Sequence, residues 1–386
     1  MLLEYLIILF LLIIICFFYE YSGKPISKNS GIPVYCLSCI ILVLFAGLRY
    51  RVGVDTLNYI ALHDYMPEWR EILNPENVLL NREFGWIVLS SIAKILGDDF
   101  IYVQLIVAFI VNISVFYFMY KYAILKFTAI LIYFVVFYPY LNFEIMRESV
   151  AISIFLVLGI KYIKNKQWVK YVLIVFLCVA FHTSAIFLLL IPILKSAVRA
   201  LHKSNFLVFN TILFFISLIL APIFIKYLLS LPFGNIIAHK LEFYSEYEFS
   251  LLGNISAYIV YVLFPLVLSF FVSSKGYNNK EMLIVYSMVG TLVALFSIFF
   301  RLLNYLTPFL ILALAEVIYR VLINKDNAYR FGKAVLFILF ILIFFNYKLF
   351  IPAEKGYPIR WYAHWFPYYS VFNQQIDPDR EFINNL

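Results

Sequence analysis

The chain has 386 residues, 64% of them hydrophobic and only 13% charged, with a mean hydropathy of +0.92. A water-soluble globule carries nearer half apolar and a quarter charged residues, and a disordered chain has much less to bury, so both classes are excluded. A net charge of +8 would point a soluble protein toward nucleic acid. In a chain solvated mostly by lipid the placement of that charge matters instead, and no nucleic-acid partner is expected.

A membrane-crossing helix needs about 20 apolar residues. In chain order the candidate spans are 2–19, 33–48, 100–120, 127–142, 148–163, 206–231, 254–273, 282–300, 302–319 and 334–351. The first run lacks a basic start and a small-residue cleavage site, so it reads as a retained helix. Cys16, Cys36, Cys39 and Cys178 lie in apolar runs. Cys36 and Cys39 have redox-motif spacing but no polar neighbourhood, and they read as inert thiols.

Two stretches are ambiguous by length: 83–96 is short, and 168–198 is long for one span. Charge decides between the alternatives. If 83–96 only lies on one face and 168–198 crosses twice, then 20–32, 121–126, 161–170, 195–205, 274–281 and 320–333 share a side. Those segments hold 17 of the 30 Lys and Arg residues and, among acids, only Glu20, Glu281 and Asp326. Basic loops face the cytoplasm. The expected fold is therefore an all-α polytopic membrane protein with about 12 transmembrane helices in one domain, 1–386, with both ends outside. Its long external segments are 49–99, which holds an amphipathic helix, 232–253, and the tail 352–386. No phosphate-binding glycine loop occurs on the basic side, so chemistry is expected at the outer face without ATP.

Five clusters there could carry it. Arg49 and Arg51 precede Gly53, Asp55 and Tyr59. Two guanidinium groups at headgroup level suit a phosphate or diphosphate, or else they anchor the helix with Asp55 as an N-cap. Gly53 permits a tight turn, and Asp55 and Tyr59 share a face if a helix begins there. Glu83, ahead of Trp86, is a candidate base or a partner for an arginine, or the start of a surface-lying helix. Arg147 opens a span, and an arginine at that depth is a functional hypothesis by default; Glu144, three residues earlier, could pair with it. His182, at the crest of the expected hairpin, is a proton acceptor or a packed histidine. Arg301 and Tyr305 open another span at the same depth. Four arginines converging would make an anion site; pointing apart, they are anchors. Asp377-Pro-Asp379 reads as a turn more than a metal motif. The aromatic tail from Tyr357 to Tyr369, with Trp361, His364 and Trp365, is an interfacial belt or a platform for sugar rings. Asp98-Asp99 is a loop or helix cap, and His63, His202 and His239 form no metal-ligand pattern.

The order of these motifs resembles the EpsG-type branch of the Wzy-like polysaccharide polymerases. The matching residues are Arg49…Gly53-x-Asp55…Tyr59, Glu83-Phe-Gly85-Trp86, Arg147-Glu-Ser-Val-Ala151, Phe181-His182-Thr-Ser184-Ala185 and Arg301, across about residues 40 to 310. The chain departs from the family with Phe84, where Pro or a small residue is common, and Glu148, where Gln is common. The resemblance implies a GT-C-like glycosyltransferase of the bacterial inner membrane that joins undecaprenyl-diphosphate-linked oligosaccharides at the outer face, one as donor and one as acceptor. No metal or other cofactor is implied. Membrane lipid is a partner, and a chain-length regulator protein would be a further one. Charge growing on the leaving diphosphate needs preorganised cations, and the acceptor hydroxyl needs a base. On that reading Arg147 and Arg301, supported by Arg49 and Arg51, bind the diphosphate. His182, Asp55 and Glu83, in that order, are base candidates, and Tyr59, Glu144 and Tyr305 contact substrate. A flippase for the lipid-linked unit and a ligase using the same chemistry are the alternatives.

Overall fold

In a computed structural model, the structure describes residues 3–22, 31–74, 82–200, parts of 208–220, 251–272, 279–295, 299–323, 330–352 and 359–384. The described residues are mostly helical, and their only β-pairings are isolated bridges, as the apolar runs predict. Leu3–Tyr21, Ile101–Tyr122 and Phe300–Arg320 are long and apolar enough to cross a membrane. Six shorter apolar helices accompany them: Gly31–Gly47, Phe84–Leu96, Lys126–Val136, Trp168–Val179, Ile255–Phe271 and Gly332–Asn346. Most of the expected span at 206–231 and of the loop at 232–253, with His202 and His239, lies outside the described residues.

The chain divides into two compact units, residues 1–186 with 318–386, and residues 187–317. In the first unit, α1 (Leu3–Cys16) ends in a π-helical turn, Phe17–Tyr21. Next come α2 (Gly31–Gly47), α3 (Val54–His63), α4 (Phe84–Leu96), α5 (Ile101–Tyr122), α6 (Lys126–Val136), α7 (Met146–Ile154), α8 (Ile160–Lys164) and α9 (Trp168–Val179). A π-turn at Phe155–Gly159 joins α7 to α8, so 146–164 runs on as one rod.

Contacts at the helix ends show how these rods alternate. At one end Glu20 accepts hydrogen bonds from the backbone N–H of Phe127 (2.9 Å) and Thr128 (2.8 Å), capping α6. A half-buried carboxylate there satisfies donors that have no partner within the helix and meets the positive end of its dipole. At the other end the Tyr5 hydroxyl donates to Trp365 O, Gln104 Nε2 donates to Arg49 O, and Asn346 Nδ2 donates to Val135 O. The loops 20–22 and 121–127 thus meet at one end, and 48–55, 139–147 and the tail meet at the other. The first two of the six basic segments are neighbours, as their charge suggests. The 168–198 stretch is not one rod: α9 stops at Val179, a 3₁₀ turn covers Thr183–Leu189, and α10 (Leu190–Ala200) follows.

A buried polar knot shapes the second end of this unit. Asn112 Nδ2 donates to Asn142 Oδ1 (2.9 Å), Asn142 Nδ2 donates to the Tyr133 hydroxyl (3.0 Å) and to Tyr138 O (2.9 Å), and the Tyr133 hydroxyl donates to Asn112 Oδ1 (3.2 Å). The knot pins a second π-turn, Tyr140–Glu144, just before Ile145 breaks the helix at φ −94° and ψ 45°. Satisfying every member is what makes such a network tolerable in an apolar interior.

The tail lies over this end. Tyr50 N donates to Tyr369 O (2.8 Å), Gly53 N to His364 O (3.0 Å) and Val371 N to Leu48 O (2.9 Å). Arg380, 1% exposed, donates to Ala363 O, Arg51 O and Pro367 O at 3.1, 2.8 and 2.7 Å. Arg51 binds the Glu381 carboxylate through Nε and Nη2 at 2.7 and 2.8 Å. Asp377 Oδ1 accepts from Arg380 N, capping α16 (Pro378–Asn384), so the first acid of Asp377-Pro-Asp379 is a helix cap. Tyr357 lies outside the described residues.

In the second unit, α11 (Leu251–Ala257), α12 (Phe264–Phe271), α13 (Asn279–Leu295) and α14 (Phe300–Val317) follow α10. Arg199 Nη2 stands 3.1 Å and Lys195 Nζ 3.6 Å from Glu281 Oε2. The basic segments 195–205 and 274–281, expected on one side, therefore adjoin. α15 (Arg330–Asn346) belongs to the first unit.

Replacing Arg380 by Ala removes three charge-assisted hydrogen bonds and leaves three buried carbonyls without a donor, a loss of about 3 kcal/mol. Arg380→Ala should lower the melting temperature in detergent and make 359–384 the first segment cut in limited proteolysis, with wild type resistant under the same conditions.

Candidate functional site

The first turn of α7 projects two adjacent charged side chains. Arg147 Nη1 donates to Glu83 Oε2 at 2.6 Å, and its Nε donates to the Tyr59 hydroxyl at 3.3 Å. The guanidinium also sits 5.6 Å from the Tyr59 ring centroid, and that ring packs on Trp86 at 5.2 Å. Its remaining terminal nitrogen, Nη2, makes no hydrogen bond among the described residues, and the side chain is 22% exposed. Arg147 is thus a cation held from two sides with one donor edge left open.

Glu83 joins this arginine to the histidine. Its Oε1 stands 3.5 Å from His182 Nδ1 and accepts from Thr183 N at 3.4 Å. On the far side of the ring, His182 Nε2 lies 3.6 Å from Glu148 Oε2. Arg147, Glu83, His182 and Glu148 therefore form a chain of alternating charge character, contributed by α4, the turn after α9 and α7.

Gly85 makes that meeting geometrically feasible. Its N–H donates to Ala180 O at 2.6 Å, and a Cβ at this position would stand 2.7 Å from the same oxygen. Only a residue without a side chain lets the start of α4 approach the 180–183 turn so closely. Cys178 Sγ then ties α9 to Ala151 O of α7 at 3.4 Å.

Burial alone would raise the proton affinity of Glu83. The His182 hydrogen-bonding contact and the Arg147 charge outweigh burial and hold its carboxyl at about 2. It is ionised throughout the physiological range, which suits it to orient its neighbours and makes it a weak base.

The other residues singled out in the sequence divide among different environments. Asp55 and Tyr59 do share α3, with Asp55 exposed. The N-cap position is Gly53, at φ 101°, and Asp55 is not the cap. The cap comes from Glu144, whose two oxygens accept from Val54 N (3.2 Å) and Asp55 N (2.9 Å). Glu144 also accepts from Trp365 Nε1 at 2.8 Å and lies 3.5 Å from His364 Nδ1. Those partners keep it below the ordinary carboxylate range despite burial. Its expected pairing with Arg147 is replaced because the break at Ile145 separates the two side chains. Arg49 is a core residue, not a headgroup anchor. At 1% exposure it donates to Val52 O (3.1 Å), Ala46 O (2.5 Å) and Thr56 Oγ1 (3.0 Å), and burial pulls its value down to about 10. A diphosphate at Arg49 would have to displace those bonds. Arg51 is engaged by Glu381, which raises its value. Arg301 and Tyr305, on α14, belong to the second unit, where Tyr305 is fully buried. Asp99 Oδ1 caps the start of α5 through Ile101 N.

Sequence reasoning did not assign a partner to Glu148, although its position directly after Arg147 in a helix's first turn was a usable signal. It also missed Arg380 and Glu381, whose partners lie some 330 positions away. Among the described residues no three His, Cys, Asp or Glu side chains converge to hold a metal ion. Glu83 and Glu148 face opposite nitrogens of one ring and share no common point.

The family model described as the EpsG family matches residues 32–372. No curated protein and no solved structure matches the chain.

Glu83 titrates below the ordinary value of 4.5, so its ionised contacts contribute stability that is complete above that value and fades as pH falls toward about 2. Melting curves of wild type and Glu83→Gln should converge as pH falls from about 5 toward about 2. A gap that widens over that interval would contradict this assignment.

Proposed function

The chain belongs to the EpsG family, and from that premise we propose that this membrane protein is a polysaccharide polymerase, a glycosyltransferase that joins lipid-diphosphate-linked oligosaccharide units. The observation that carries the proposal is the Arg147 guanidinium: braced by Tyr59 and by Glu83, which also faces His182, partly exposed, and with Nη2 unbonded among the described residues.

Glycosyl transfer passes through an oxocarbenium-like state as the bond from the anomeric carbon to the diphosphate oxygen lengthens. Negative charge grows on the leaving diphosphate, and a cation already oriented stabilises it without reorganising. Arg147 takes that role through Nη2; Arg301 is carried as a further diphosphate-binding residue on the order of the family's motifs alone. Arg49 and Arg51, already bonded within the protein, support the fold of the site in place of the ligand. His182 accepts the proton of the attacking hydroxyl, and Glu83 stabilises the imidazolium that results. Tyr59 holds the arginine and offers a hydroxyl to the sugar. The donor and acceptor are undecaprenyl-diphosphate-linked oligosaccharides of O-antigen or exopolysaccharide synthesis, and the transfer needs no metal. Asp55, exposed on the same helix as Tyr59, is a further contact for the acceptor.

Charge supports an outward-facing site. Lys121, Lys126, Lys161, Lys164, Lys166 and Lys170 lie in or within about a turn of the junctions between α5 and α6 and between α8 and α9. The site end holds Asp55, Glu83, Asp98, Glu144, Glu148 and Asp377. Lysine-rich ends face the cytoplasm of the bacterial inner membrane, so the site faces the periplasm or exterior.

Proteoliposomes holding the full chain and synthetic lipid-linked repeat units test the reading. Wild type should give a ladder of products, and Arg147→Ala and Arg301→Ala should insert normally yet elongate at least about 100-fold more slowly. A single transferred unit would indicate a ligase, and movement of the unit across the bilayer without new glycosidic bonds would indicate a flippase. Wild-type-length product from either variant would remove that arginine from the mechanism.

A further inference from the structure

The reading above gives the diphosphate one cation whose place is fixed by geometry, Arg147, yet the ligand carries charge on two phosphate groups. A second guanidinium stands close by in the chain. Arg82 immediately precedes Glu83, in the same unit as Arg147. Its side chain is exposed, and it makes no hydrogen bond, ion pair or ring contact among the described residues. An arginine next to a carboxylate would ordinarily pair with it. Here the Glu83 carboxylate is already engaged. Its Oε2 accepts from Arg147 Nη1 at 2.6 Å, and its Oε1 accepts from Thr183 N at 3.4 Å and faces His182 Nδ1 at 3.5 Å. The backbone explains the division. Glu83 is extended, at φ −65° and ψ 131°, so successive side chains leave it in different directions. Glu83 turns into the protein, and Arg82 stays at the surface. Two guanidinium groups therefore flank one carboxylate at the positive end of the α4 dipole.

We propose that Arg82 is the second diphosphate-binding cation of this site, taking the phosphate joined to the lipid while Arg147 Nη2 takes the phosphate joined to the sugar. Arg147 has the sugar side because Glu83 links it to His182, which meets the acceptor hydroxyl. A guanidinium offers phosphate oxygens two parallel N–H donors, and one that is exposed and unpaired gives up only water to make those bonds. The lipid-side phosphate lies away from the bond that breaks. Arg82 thus holds the donor equally well in the ground state and in the transition state. Binding of that kind lowers KM and leaves kcat nearly unchanged. Arg147, beside the leaving oxygen that receives the electron pair, acts on kcat instead.

The kinetic half of this proposal rests on the polymerase reading; the binding half does not require elongation. The full chain in detergent is titrated calorimetrically with farnesyl diphosphate, a lipid diphosphate that carries no sugar. Wild type should bind it, Arg82→Ala at least about tenfold more weakly, and Arg82→Lys, which keeps the charge without the fork, in between. Arg70→Ala, which removes another exposed arginine from the same unit, should match wild type. In proteoliposomes with synthetic lipid-linked units, Arg82→Ala should raise KM at least about tenfold with kcat within about threefold of wild type. Undiminished binding by Arg82→Ala, an equal loss in Arg70→Ala, a fall in kcat at unchanged KM, or no farnesyl diphosphate binding by wild type would overturn the assignment. If wild type binds but forms no glycosidic bond, the polymerase reading falls and the titration still decides Arg82. If wild type elongates and Arg82→Ala matches it in both measurements, Arg82 is a solvated surface residue and the polymerase reading stands.

Discussion

Three segments far apart in the chain meet on the carboxylate of Glu83: the start of α4, which bears it, the first turn of α7 through Arg147, and the 180–183 turn through His182 and Thr183. Without that anion, the guanidinium would keep only the Tyr59 contacts and the imidazole would face only Glu148, with nothing to join the two. With it, each is oriented and each keeps a polar atom uncommitted. Gly85 is the steric condition for this meeting, and the low proton affinity of Glu83 keeps the anion in place at any physiological pH.

The surroundings of the site show how charge is tolerated in so apolar a chain. Arg49, Arg380 and Glu144 are all nearly inaccessible, and each is surrounded by groups of the matching polarity. Leaving any of them without partners would cost several kcal/mol, whereas paired and hydrogen-bonded they define a single arrangement of the 48–55 segment, the π-turn before α7 and the tail. The arrangement has a functional consequence. The tail clamps the 48–55 segment, that segment starts α3, and α3 delivers Tyr59 to Arg147. A side chain at position 380 thereby helps to set the geometry of one at position 147.

The helical class, the positions of most rods and the meeting of basic loops were all legible in composition and periodicity, since apolar runs and lysine placement are local properties. Glu83, Arg147 and His182 stood out too, because polar residues are conspicuous where nearly everything else is apolar. Their partners were harder to read. Spacing of three residues suggested Glu144 for Arg147, but that inference assumes a continuous helix, and the break at Ile145 after a π-turn removes the assumption. Arg49 looked like an anchor at the end of a span because nothing nearby in sequence foretells that Ala46 O, Val52 O and Thr56 Oγ1 enclose it. The tail's grip depends on pairs separated by more than 300 positions, for which periodicity holds no signal.

The account rests on Glu83 and Arg147 acting as one unit in catalysis, and a double-mutant cycle on elongation rates in proteoliposomes tests this most directly. Residues that act together lose less in combination than the sum of their separate losses. Glu83→Gln and Arg147→Ala should each reduce elongation strongly, and the double variant should be no slower than Arg147→Ala alone. Losses that simply add in free energy would show that the two side chains work independently and would contradict the account.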